Sequence, residues 1–261
     1  MAENQAVSAG NLLVYERLGA RPSADLALEE VLIALAAGGR PSLLMTSWPG
    51  PVVVLGYGQP AEDVDLELCR ARGIPVLRRI TGGTGVVHSR DLGVALALPA
   101  DHPWAAGVIG LYSRFLDVLG PTLAAVGAAV ERLERPRRAT RVRSPICFED
   151  QLADTLAVNG KKAVGCAQAR RRRAVLVHAA VLLGLDATLY AEVFRVPTSR
   201  VLAALSPAAA VPPEVLASEL AVRFAAALEL EVQRADSPEI PAPLLDRYAE
   251  LRWAPVPESI R

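Results

Sequence analysis

Lysine is almost missing from this chain. Of 28 basic residues in 261, only the neighbours Lys161 and Lys162 are lysines; the other 26 are arginines. Arginine keeps its proton inside a protein, whereas lysine gives it up when its surroundings favour the neutral amine. A chain that uses arginine nearly everywhere therefore marks this pair as a place where chemistry needs an amine, or else as a remnant of codon bias. Cysteine is scarce as well: three in a chain this long make no disulfide scaffold, and the odd count leaves at least one thiol free. Net charge is zero, with 28 basic against 28 acidic residues, which excludes the basic excess of a dedicated nucleic-acid binder. No apolar run approaches the ~18–20 residues of a membrane span; the longest, residues 174–185, contains His178. The first residues, MAENQAV, have neither the basic start nor the apolar stretch of a secretory signal. What is present is apolar material, 52% of the residues, enough for a sizeable core. The expectation is a soluble, cytoplasmic, globular protein with no nucleic-acid or membrane partner.

Hydrophobic spacing predicts a helix over residues 23–37, capped by Ser23 or Asp25 and stopped at Gly38–Gly39. Strands are expected at 42–45, 51–56 and 75–80, with a short helix over 65–72 closed by Gly73. The third strand runs into the turn Gly82-Gly83-Thr84-Gly85, after which 86–88 and 93–98 read as a strand pair. A long helix is expected over 104–119, then a second piece over 122–130, then an exposed charged loop over 131–144. Residues 152–158 and 161–168 flank Asn159-Gly160, the strongest short-range hairpin signal. Arg170–Arg173 reads as a basic turn before a strand over 174–183; the remainder is helical over 212–230 and then proline-rich. Strands come as hairpins more often than in strand–helix–strand alternation, so an α+β or mixed-sheet architecture is expected rather than a doubly wound one.

Three segments bear on chemistry. Gly56-Tyr57-Gly58-Gln59-Pro60-Ala61 has the spacing of a dinucleotide fingerprint, but arginines occupy the region where its acidic residue belongs, so it reads as a strand-end turn. In RRITGGTGVVH, residues 78–88, glycines free the backbone for close approach to a ligand and arginines add a positive fork; a tight hairpin without ligand would also use glycines. No P-loop lysine follows. Cys147, in CFED, follows a charged loop and a proline, and Lys162 lies 15 residues further on. A nearby ammonium would stabilise a thiolate, the reactive form, whereas a free cysteine is otherwise a small buried hydrophobe.

The segments LALEEVL, VVVLGYGQ, RRITGGTGVVH, CFED…NGKKAVGCAQAR and VHAAVLLGLD, in this order over residues 26–186, resemble the lipoate–protein ligase and octanoyltransferase family, related to the biotin protein ligases. The likeness is greatest to the cysteine-type octanoyltransferases. It implies one α+β catalytic domain over 1–261, with a bent mixed or antiparallel sheet flanked by helices, in which residues 187–261 form a helical and proline-rich end. It also implies a nucleophilic Cys147 and a Lys162 that together pass an octanoyl or lipoyl group from acyl carrier protein, or another donor protein, to a lysine of a lipoyl domain. Arg79, Gly82, Gly83 and His88 would line the acyl and carrier end of the pocket, and Gly165, Ala167 and His178 the facing strands. That reading needs no cofactor or metal, and a monomer is the family's default. The alternative within the family is an ATP-dependent lipoate ligase, using ATP and Mg, in which Lys162 holds an acyl-adenylate and Cys147 is incidental; outside it lies a non-catalytic lipoate carrier or sensor. The sequence departs from the family pattern at Thr84, Ser89, Gln151, Asp154, Ala179 and Cys166, the last a second thiol.

Overall fold

Three sheets and three hydrophobic clusters organise the described residues. The structure is a computed structural model and describes residues 10–133 and 155–251. In chain order its elements are β1 (Asn11–Leu18), α1 (Pro22–Ala37), β2 (Ser42–Ser47), β3 (Val52–Leu55), α2 (Leu66–Ala71), β4 (Val76–Arg78), β5 (Val86–His88), β6 (Asp91–Pro99) and α3 (Val108–Ala125). There follow β7 (Glu131–Leu133), β8 (Thr155–Val158), β9 (Lys161–Lys162), β10 (Val164–Arg170), β11 (Ala174–Leu182), α4 (Ala187–Phe194), α5 (Thr198–Ala204), α6 (Pro213–Ala227), β12 (Glu231–Arg234) and α7 (Ala242–Ala249).

Six strands make the principal sheet in the order β10-β11-β6-β2-β1-β12. Its β1 edge is parallel, to β2 and to β12, and the β2, β6, β11 and β10 pairs are antiparallel, so the sheet is mixed as expected. Helices α3 and α6 cover one face, meeting through Phe115 and Phe224, whose rings lie 5.2 Å apart. Helices α1 and α7 cover part of the other face. The small sheet β4-β3-β5 packs with α4 and α5 in a third cluster. No helix among the described residues is long and apolar enough to cross a membrane.

Several local expectations need correction. Helix α1 starts at Pro22 with no side-chain cap; Asp25 instead points into the interior, where Arg17 and Trp48 hold it. Helix α3 is one helix, not two pieces, and starts at Val108 after a separate 3₁₀ turn over Pro103–Ala105. Pro121 sits inside it without ending it: Pro121 and Asp117 are both exposed, so the Asp117 carbonyl that loses its helical donor faces water. The start of the predicted charged loop is strand β7, paired with β8; the rest of that loop, Cys147 and residues 152–154 lie outside the described residues. The strand expected over 161–168 is two strands in two sheets, β9 pairing with β8 and β10 with β11. The hairpin register sets Lys162 opposite Ala157, and Asn159 and Gly160 both take positive φ (51° and 71°), as a type I′ turn requires. Strands β1 and β12 and helix α7 carried no expectation.

Candidate active site

The register of the principal sheet builds a trough. Leu44, Ala95, His178 and Ala167 stand side by side in one cross-strand row, and Thr46, Gly93, Ala180 and Gly165 in the next. Residues two apart on a strand share a face, so both rows point the same way, and all eight border one cavity. Alanine and glycine dominate these rows, and the missing side-chain volume is the cavity. A Cβ on Gly93 would lie 2.3 Å from Thr46 Oγ1, so the close approach of that hydroxyl requires glycine there. Leu26, Val54 and Val86 form apolar walls above the floor, giving a slot suited to a chain of methylenes. Cys166 also borders the cavity, but strand alternation turns its side chain toward the α3–α6 core, against which it packs.

A polar network closes one wall. Glu29 of α1 accepts from His178 Nδ1 at 2.9 Å, and His178 Nε2 lies 2.9 Å from Thr81 Oγ1. Thr81 Oγ1 accepts from Arg79 Nε at 2.9 Å, so its own proton is directed to His178. Both ring nitrogens of His178 are therefore occupied. Arg79, buried, also donates to the carbonyls of Gly82 (2.8 Å), Thr84 (3.0 Å) and Val54 (3.3 Å). The guanidinium borders the cavity and at the same time braces the glycine-rich turn. Arg78 does the same for the neighbouring turn, donating through Nη1 to the carbonyls of Gly56 (2.6 Å) and Gln59 (2.7 Å); burial pulls it below the usual arginine range. The two turns interlock. A Cβ on Gly56 would fall 2.1 Å from the Gly83 carbonyl oxygen, and Gly83 itself has φ +99°. This explains Gly56 of the dinucleotide-like segment as a packing requirement; a Cβ on Gly58 would meet open space.

A second chain of contacts also borders the cavity. Arg17 and Trp48 Nε1 both donate to the Asp25 carboxylate, which burial raises above the usual aspartate range while these two bonds oppose the shift. The Trp48 ring lies 4.8 Å from that of His88 at 59°, and His88 Nδ1 is hydrogen-bonded to Asp91.

Of the residues expected at the site, Arg79, His88, Gly165, Ala167 and His178 converge on the cavity. Gly82 and Gly83 belong to the turn that Arg79 braces. Lys162 is buried in β9, three residues before Gly165, and is not among the described cavity-lining residues. Cys147 lies outside the described residues, so the structure does not place the thiol. Sequence reasoning passed over Asp25, Glu29, Thr81, Trp48 and Asp91. The available signal was Asp25 and Glu29, spaced i,i+4 so that they share one face of a largely apolar helix. Among the described residues no cluster of three or more His, Cys, Asp or Glu could hold a metal ion.

Residues 21–214 match the family model described as the lipoyl protein ligase A/B catalytic domain. The chain is 31% identical over 189 residues to an octanoyltransferase LipM of Geobacillus kaustophilus, spanning 69% of this chain and 68% of that protein. It is 30% identical over 186 residues, with the same coverage, to an octanoyltransferase LipM of Moorella thermoacetica. Among solved structures, a lipoate-protein ligase A bound with ATP superposes with a TM-score of 0.74 at 24% identity, over 92% of this chain and 94% of that one. A bipartite lipoate protein ligase from Thermoplasma acidophilum, described with its E2 lipoyl domain, gives 0.73 at 22% identity, over 93% and 92%. At these identities the two structures show the shared fold.

Proposed function

The chain belongs to the lipoyl protein ligase A/B catalytic-domain family, and from that membership we propose that it transfers an octanoyl group from a carrier protein to a lysine of a lipoyl domain. One observation carries the choice of transferase over ligase. The relatives quoted at 30% identity or more, over two thirds of the chain, are named octanoyltransferases, while the ligases quoted match at 24% or less. The trough of Ala and Gly rows supports the acyl half of this reading, because an eight-carbon chain gains most from a narrow apolar slot.

In the proposed reaction the Cys147 thiolate attacks the carbonyl carbon of the donor thioester, and the tetrahedral intermediate expels the carrier's thiolate. The acyl-enzyme then meets a neutral lysine amine; the C–N bond forms as the nitrogen gives up a proton to water, the C–S bond breaks, and Cys147 leaves as thiolate. Lys162 would hold the thiolate and the oxyanion by its positive charge. Its position in β9, immediately before the strand whose Gly165 and Ala167 border the trough, supports that role. The reaction consumes no nucleotide. A ligase, by contrast, would activate free lipoate with ATP and Mg. The test incubates the protein with octanoyl carrier protein and an apo lipoyl domain in nucleotide-free buffer. Amide formation at the same rate with and without ATP is the expected result. Modification that appears only with ATP and free acid would replace the transferase reading by the ligase one.

A further inference from the structure

Arg79 beside the trough and Arg17 behind Trp48 both have partners. Arg90 does not. It is exposed, and its guanidinium makes no hydrogen bond or ion pair among the described residues, yet the fold seats it firmly. Its backbone carbonyl accepts from Leu183 N and Gly184 N, both at 2.8 Å. Its stem lies against Gly184, where an added Cβ would fall 2.9 Å from both Cβ and Nε of Arg90. Gly184 is outside the left-handed region, so its small size serves the arginine rather than the backbone. Arg90 borders a surface groove in which Trp48, Leu183 and Val211 supply apolar wall and Ser47 and Ser89 supply hydroxyls. Trp48 also borders the acyl cavity, so the groove abuts the trough. The other charged residue bordering the groove is Asp91, nearly buried and hydrogen-bonded to His88. The charge left for a ligand is positive.

We propose that this groove binds the phosphopantetheine arm of the acyl donor, with Arg90 on the phosphate and the acyl chain continuing past Trp48 into the trough. The inference rests on the transferase reading. The arm presents its groups in an order that suits the groove. Its phosphate is an acceptor for the guanidinium fork. Its dimethyl-substituted carbon suits the apolar wall, and its two amides can exchange hydrogen bonds with the serine hydroxyls. The thioester end then lies toward Trp48, which groove and trough share. The indole is already fixed by its bond to Asp25, so this junction is formed before the donor arrives. Charge decides between the two protein substrates. An acceptor lysine would bring an ammonium beside an unpaired guanidinium and be repelled, whereas a phosphate gives that guanidinium the partner it lacks.

The test follows transfer to an apo lipoyl domain by the full chain with three donors: octanoyl carrier protein, octanoyl-phosphopantetheine, and octanoyl-pantetheine, which lacks the phosphate. Wild type is expected to favour octanoyl-phosphopantetheine over octanoyl-pantetheine about tenfold in kcat/KM, chiefly through KM. Arg90→Ala abolishes that preference and raises KM for the carrier protein by a similar factor. Its turnover of octanoyl-pantetheine in the same preparation reports that the variant is folded. Arg90→Lys keeps part of the preference, since it keeps the charge and loses the fork; Gly184→Ala, which displaces the arginine, loses part of it. Added salt narrows the wild-type preference. An equal fall with all three donors, a phosphate preference that survives in Arg90→Ala, or a raised KM for the lipoyl domain with donor KM unchanged each overturns the assignment. If wild type accepts none of the three donors and modifies the lipoyl domain only with octanoate and ATP, the transferase reading fails first and this one with it. If wild type transfers from all three without a phosphate preference, only the groove is misassigned.

Discussion

Asp25 shows how much a single side chain carries here. It sits on an apolar helix, almost wholly buried, and is tolerated because Arg17 and Trp48 donate to it. Removing the carboxylate in Asp25→Ala strands the indole N–H and weakens the hold on Trp48, at a cost of about 1–3 kcal/mol in unfolding free energy. Its pH signature has a definite sign. Burial raises its folded-state value above the unfolded one, so the folded protein binds the proton more tightly. Asp25 therefore adds stability as pH falls through the raised folded value, and the gain is complete below the ordinary aspartate value. Denaturant midpoints measured from neutral pH downward should rise for wild type relative to Asp25→Asn across that window; parallel curves would mean that the carboxylate is unshifted. The residues converging on the cavity were recognisable from their motifs, as with His88, His178 and Arg79. Their partners were not, because Glu29 meets His178 across 149 positions and no local pattern records such a pairing.

Strands were recognisable where their own residues specified pairing and obscure where a neighbour did. The Asn159-Gly160 hairpin follows from turn chemistry alone. Strand β12 shows no alternation because it is an exposed edge strand, held by its parallel register with β1. The break at Ala163 between β9 and β10 is likewise invisible in an apolar run, since it marks a change of partner rather than of composition. At this scale the sheet rows make a specific prediction. Ala95 borders the cavity from the centre of one row, and Ala95→Leu fills the slot from its floor. Octanoyl transfer should fall about 10- to 100-fold relative to transfer from a four-carbon donor, since each methylene in such a pocket is worth roughly 1–3 kcal/mol. An equal fall with both donors would show that the rows do not hold the acyl chain.

The family match ends at residue 214, yet the core does not. Leu216, Leu220 and Phe224 of α6 are fully buried against the same cluster as Phe115 and Leu119, and Tyr248 of α7 is buried against α1, where its hydroxyl donates to Glu30 at 2.6 Å. Burying three such α6 side chains contributes about 5–9 kcal/mol, comparable with the whole stability of a typical domain, about 5–15 kcal/mol. A chain cut after residue 212 should show no cooperative thermal transition by circular dichroism; a sharp melt near that of the intact protein would mean that α6, β12 and α7 are dispensable. Helix α6 thus supports the principal sheet from the face opposite α1 and the trough.

The central claim is that an acyl group rests on Cys147 between donor and acceptor. Intact-protein and peptide mass spectrometry after incubation with octanoyl carrier protein alone tests it most directly. The account predicts one octanoyl adduct, mapped to Cys147, labile to hydroxylamine and discharged by an apo lipoyl domain, with no adduct and no transfer in Cys147→Ala. An adduct on Cys166, or a Cys147→Ala protein that modifies the lipoyl domain at the wild-type rate, would contradict it.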